Sequence, residues 1–125
     1  MASIAEIGVV VLLSIFIVLH LAVIFKWIPY NLVWGSRLKT DKEMYRFEAV
    51  SLLVILFFLW VAFENTNLVS RFLSNRTIDI VFWIMTILFA FNTLGNLFSE
   101  NRIEKYLFTP LAFLLVIFCL MIALR

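Results

Sequence analysis

IGVVVLLSIFIVLHLAVIF, from Ile7 to Phe25, contains no charged residue and no proline. About 20 apolar residues are what a helix needs to cross the hydrocarbon of a bilayer. A segment in that medium must satisfy its own backbone N–H and C=O groups, which a helix does within itself. A signal peptide would start basic and end at small residues. Met1–Glu6 has no Lys or Arg, and the run ends at Lys26-Trp27, so the expectation is a retained transmembrane helix.

Three further apolar runs follow: Ala49–Phe63, Ile80–Phe98 and Tyr106–Leu124. The composition agrees, with 125 residues, 65% hydrophobic and 14% charged, at a mean hydropathy of +1.10. A soluble domain carries about 25% charged residues. The expected fold is an all-α integral membrane protein with four transmembrane helices, over residues 5–27, 41–66, 77–99 and 103–124. Short connections favour an antiparallel up-down bundle, in one domain over 1–125. Cys119 stands alone, so no intramolecular disulfide forms, and its apolar setting marks it as a small buried hydrophobe.

The connections carry local signals. Ile28-Pro29 closes the first helix, and Gly35-Ser36 marks a turn. Trp27, Tyr30 and Trp34 read as anchors at headgroup level. Thr40-Asp41-Lys42-Glu43 reads as a capping box opening the second helix. Thr77 is the expected cap of the third helix, and Asn101, three residues before Glu104, that of the fourth. Pro110 falls near the start of its run, where a proline is tolerated. Lys26, Arg37, Lys39, Lys42, Arg46, Arg102 and Lys105 lie at the loop-one and loop-three ends, against Arg71, Arg76 and Arg125 opposite. That bias makes the first group cytoplasmic and both termini non-cytoplasmic in a multi-pass protein of the cell or inner membrane.

Polar residues inside the runs are the candidate site. Asn92, Asn96 and Ser99 recur at i, i+4 and i+7 and share one helix face, which is expected to look at protein rather than lipid. Glu48 and Glu64 bracket the second run, roughly 24 Å apart on a helix and short of a core about 30 Å thick. Either the bilayer thins there or one carboxylate is drawn inside its edge; Glu48, sharing a face with Ser51, is the one expected to face protein, with Arg46 or Lys105 as its counter-charge. His20, Glu48, Ser51, Asn92, Asn96, Ser99 and Thr109 then form one polar layer beside loops one and three, facing an apolar other half. Tyr45 and Tyr106 are candidate rim residues. Two roles stand open for this layer: hydrogen-bond glue between helices, or a pocket in which His20 binds a proton or ligand. Gly95 and Ser99 form a small-xxx-small pair that permits close helix approach. Among the 14 phenylalanines, Phe89, Phe91, Phe98, Phe108 and Phe113 either pack or wall a path.

No catalytic residues, cofactor or metal site are expected. One His and one distant Cys cannot make a usual zinc or bis-histidine haem site, and there is no phosphate-binding Gly-rich loop or nucleophile elbow. The net charge of +2 is spread over short loops and reports topology, with no nucleic-acid partner. In size and composition the chain resembles the small multidrug resistance transporters and the fluoride channels. The helix-one carboxylate of the former has no counterpart except Glu6 at the helix edge. The Gly-rich first helix ending in Arg, typical of the latter, is not found in Ile7–Lys26, and no residue is carried over from either. The expected function is that of an interaction or accessory subunit without catalysis, partnered by the bilayer and by another membrane protein or a second copy. The alternative is a homo-oligomeric channel or transporter for an ion or small solute.

Overall fold

The first helix, α1 (Ile4–Ile24), begins where Ser3 caps it, its Oγ accepting from the Glu6 N–H at 3.1 Å. In this computed structural model residues 3–30 and 38–125 are described; Trp34, the Gly35-Ser36 turn and Arg37 lie outside the described residues. α1 stops at Ile24, short of the expected Trp27, because the chain turns into a Schellman motif. Lys26 takes φ 62°, its N–H reaching Val23 O at 3.0 Å and the Trp27 N–H reaching Ala22 O at 2.8 Å. Ile28-Pro29 follows a helix already closed.

The second helix, α2 (Asp41–Thr66), has the expected bounds. Thr40 Oγ1 accepts from the Glu43 N–H at 3.2 Å, while the Glu43 carboxylate turns to the Thr40 hydroxyl at 3.3 Å. α2 ends at Asn67, whose φ of 63° is left-handed, a conformation asparagine tolerates. The third helix, α3 (Asn75–Leu97), is capped by Ser74 and not by Thr77. Ser74 Oγ accepts from the Thr77 N–H at 3.1 Å, so Thr77 fills the third helical position and the helix starts earlier. After α3 the Asn101 side chain accepts from the Ile103 N–H at 2.9 Å. A π turn, Glu104–Phe108, then leads into α4 (Thr109–Leu124). Pro110 has no N–H to give, and its ring would crowd the carbonyl four residues back, so a wider turn ahead of it relieves the ladder. The Thr109 backbone N–H bonds Glu104 O across that turn, and its hydroxyl bonds the same oxygen at 3.1 Å.

All four helical segments described are long and apolar enough to cross a membrane. α3 packs most extensively against α4, and α1 against α2 and α4. On α3 the buried residues Ile78, Phe82, Met85, Phe89, Thr93 and Asn96 keep the helical repeat and form one stripe. Val9, Leu13 and Phe16 of α1, Ile55, Phe58 and Ala62 of α2, and Ala112, Leu115 and Cys119 of α4 close on it. Phe89 knits three helices, its ring stacked on Phe16 at 6.2 Å and edge-on to Phe58 at 6.0 Å. Phe91 and Phe98 are 70% and 79% exposed, so no aromatic-walled path runs through the described interior.

Gly8 and Gly95 have opposite surroundings. A Cβ at Gly8 would lie 2.5 Å from Cε2 of Phe118, whereas one at Gly95 meets nothing within 4 Å. The close approach of α1 to α4 therefore depends on Gly8, and the expected small-residue contact at Gly95 is not made among the described residues. Gly95→Ala should raise the melting temperature in detergent, through a helix-propensity gain of up to about 1 kcal/mol. Gly8→Ala should lower it, because the Phe118 ring must move. Equal shifts of the same sign would contradict this packing.

Candidate functional site

Both acids that bracket the apolar part of α2 are buried, Glu48 1% and Glu64 0% exposed. Glu48 is the expected one; Glu64, at the other end of the run, is buried as well. A buried carboxylate must be met by hydrogen-bond donors or positive charge, and each end of α2 supplies a different kind.

At the first end, Glu48 Oε2 meets Nδ1 of His20 near the C-terminus of α1. α1 and α2 pack against each other, and the two residues meet at that contact. Arg46 and Lys105, the expected counter-charges, are exposed. Val23, Leu38 and Met44 form a small buried cluster at this end, with Phe108 against it. The contact with the buried carboxylate fixes the orientation of an imidazole ring that is 21% exposed.

The other residues of the expected layer scatter. Asn96 is buried, and Ser51 is half-buried. Ser99 Oγ accepts from the Asn101 N–H at 3.1 Å and serves the turn, while the Thr109 hydroxyl is bonded to the backbone of its own segment. Asn92, one position off the buried stripe of α3, is exposed. Tyr45 and Tyr106 are exposed as well. Two buried polar residues near this layer escaped the sequence reading: Thr93, whose hydroxyl bonds Phe89 O at 2.7 Å, and Glu104. Thr93 lies on the stripe that Phe89 and Asn96 define, so helical phase would have found it.

At the other end of α2 a larger polar cluster forms. Glu64 Oε1 accepts from the backbone N–H groups of Phe72 and Leu73, each at 2.9 Å. Arg71 Nη2 donates to the Glu64 carbonyl at 3.3 Å, and its Nη1 to Asn75 Oδ1. Arg125 Nη2 donates to Asn65 Oδ1 at 2.6 Å, and Nη1 lies 3.2 Å from Asp79. One arginine thereby joins α2, α3 and α4. Glu64 Oε2 and Asn65 Nδ2 are buried with no hydrogen-bond partner among the described residues. The short apolar run of α2 was the signal for this second acid.

Lys26 Nζ, just after α1, and Asp41 Oδ2, at the first residue of α2, lie 2.6 Å apart on the surface. The hydrogen bond and charge of Asp41 hold the Lys26 ammonium above its ordinary value. Burial and the same carboxylate raise the Tyr30 phenol. Among the described residues no three His, Cys, Asp or Glu side chains cluster as a metal would need. Two open apolar grooves mark the outer surface, of about 490 Å³ beside Trp60 and about 390 Å³ beside Ser14. No family model, curated protein or solved structure matches the chain.

Two outcomes follow. Glu64→Ala strands the Phe72 and Leu73 N–H groups and should cost on the order of 1–3 kcal/mol for each that stays dry. Glu64→Gln keeps an acceptor there and should cost far less in the same detergent melt. For Lys26, a raised value means a contribution fully present below the unfolded value and lost as pH rises through the folded one. The melting difference between wild type and Lys26→Gln should thus hold across the neutral range up to pH 10.5, the ordinary lysine value, fall away as pH rises through the raised Lys26 value, and be lost again in acid as Asp41, held below its ordinary value, takes its proton. A difference already absent at neutral pH would rule out the Lys26–Asp41 contact as its source.

Proposed function

We propose that the chain is a multi-pass membrane protein that acts as an interaction or accessory subunit, without catalysis of its own. Its four helices run antiparallel in up-down order. Support comes from the pairings at their ends: the C-terminal end of α1 meets the N-terminal part of α2 through His20 and Glu48, and Arg125 after α4 meets Asn65 late in α2 and Asp79 early in α3. The charge bias of the connections sets loops one and three on the cytoplasmic side, with both termini opposite.

The observation that carries the function is Asn92. Its amide lies on the outer surface of α3, between exposed Leu88, Phe91 and Leu94. Among the described residues it has no hydrogen-bond partner, and an unpaired side-chain amide facing hydrocarbon costs several kcal/mol. A neighbouring membrane protein supplies the missing partner, and the open space over Gly95, on the same side, lets its helix come close. The interior is filled at mid-length by Val9, Leu13, Phe82, Met85 and Leu115, each fully buried. A conducting path, the second reading, would therefore run between copies of the chain, with Asn92 from each copy facing it.

Extraction in mild detergent and mass determination of the intact assembly tests this. A stoichiometric foreign subunit is the expected result, and Asn92→Leu should release it while leaving the helices intact by circular dichroism. A monomer that is indifferent to Asn92→Leu would overturn the proposal. A homo-oligomer whose ion flux in liposomes falls on Asn92→Leu would transfer it to the channel.

A further inference from the structure

The larger outer groove is lined by Leu56, Leu59, Trp60 and Phe63 of α2 and by Val69, Ser70 and Phe72 of the connector to α3. Its wall is a lengthwise strip of a helix apolar enough to cross a membrane. Its end is the connector, which turns apolar side chains outward, with Phe72 84% and Leu68 72% exposed. Connectors in water rarely present such residues together, whereas a segment lying at a bilayer interface does so by rule.

The charge sits at the same end. Arg71 is exposed between the groove residues Ser70 and Phe72. Its guanidinium bonds the Glu64 carbonyl, next to Phe63 at the end of the groove, and the Asn75 amide oxygen. Both of these acceptors are neutral, and they hold the guanidinium in place. A planar guanidinium offers five donors, and phosphate oxygens match its fork geometry. Arg76, the second residue of α3, is exposed as well. Of the charges near it, the Glu64 carboxyl is buried and Asp79 is engaged by Arg125.

We propose that this groove is a binding site for an anionic phospholipid. One acyl chain lies along Leu56, Trp60 and Phe63, and the phosphate rests on Arg71 and the Ser70 hydroxyl. The site rests on the membrane assignment above and adds to it a ligand of stated chemistry. A zwitterionic lipid offers the same acyl chain and phosphate but brings its own cation, so the preference is for net negative charge. The arginine has a double duty: it ties the connector to the end of α2, and it faces the headgroup.

Trp60 reports on its own occupant. A variant that keeps Trp60 and replaces Trp27, Trp34 and Trp83 by Phe, reconstituted in bilayers, is quenched by brominated acyl chains that touch the indole. Mixtures of brominated phosphatidylglycerol in plain phosphatidylcholine, and the reverse, give the relative affinity of the two lipids at that site. The expected preference for phosphatidylglycerol is about fivefold, the worth of one arginine near an anionic lipid surface. Arg71→Gln should abolish it and Arg71→Lys retain most of it, while Arg102→Gln, at the other end of the helices, leaves it unchanged. The charge-keeping Arg71→Lys guards against reading a disturbed connector as lost binding. Strong but equal quenching by both lipids would overturn the site and leave membrane insertion standing. A variant keeping Trp83 alone, on the outer face of α3, separates the remaining cases. Quenching of Trp83 without Trp60 sinks the groove only, and quenching of neither sinks the membrane assignment with it.

Discussion

Two buried carboxylates on one helix set the terms for the rest of the chain. A carboxylate out of contact with water needs donors or positive charge close by, and α2 carries one near each end. Glu64 solves this with backbone N–H groups. Because Phe72 and Leu73 must bring their N–H groups to its Oε1, the connector folds back over the end of α2, and Ser74 arrives where it can cap α3. Glu48 solves it with a side chain from another helix, so His20 binds α1 to α2 at the opposite end. The two ends thus contribute differently: one shapes a connection, the other joins two helices.

Between these ends the helices hold together by contact. If lipid surrounds them, apolar side chains gain nothing from merely leaving water, and dense packing takes over as the attraction. Phe89 illustrates this, its ring engaging Phe16 and Phe58 at once. Gly8 illustrates the reverse, since the absence of a side chain lets the Phe118 ring lie against the backbone of α1. Thr86 and Thr93 remain inside the stripe because each hydroxyl bonds a carbonyl of its own helix, four residues back. Hydroxyls satisfied in this way can occupy a buried position that an amide could fill only with a partner on another element.

Asn92 and Asn96 separate on that basis. Residues four apart on a helix differ by about 40° in direction, enough for one to enter the interior and the other to miss it. Asn96 lies on the line of Phe89 and is buried; Asn92 falls to the side. The same helix therefore has an inward face that completes the fold and an outward face on which the proposed partner contact rests. The proposed partner contact and the proposed lipid site occupy different helices, α3 and α2, so one chain could engage both.

Four helical runs, their order, the capping of α2 by Thr40 and the fate of Cys119 in the core were all legible in the chain. Apolar length, charge-free stretches and cap residues act over a few neighbouring positions, and the sequence holds all of those positions side by side. The spacing of Glu48 and Glu64 showed only that a carboxylate drawn inward was one of two ways to fit a short apolar run, and burial of both acids was not legible there. Helix ends were legible less well. The Schellman turn at Lys26 uses a residue that disfavours left-handed backbone, and the π turn before Pro110 depends on how the ladder yields. Which polar groups meet was decided by tertiary structure alone. That His20 reaches Glu48, that Arg125 spans Asn65 and Asp79, and that Asn92 faces out depend on rotations of whole helices about their axes. Those rotations come from side-chain packing between segments far apart in the chain, and neither local propensity nor composition carries that information.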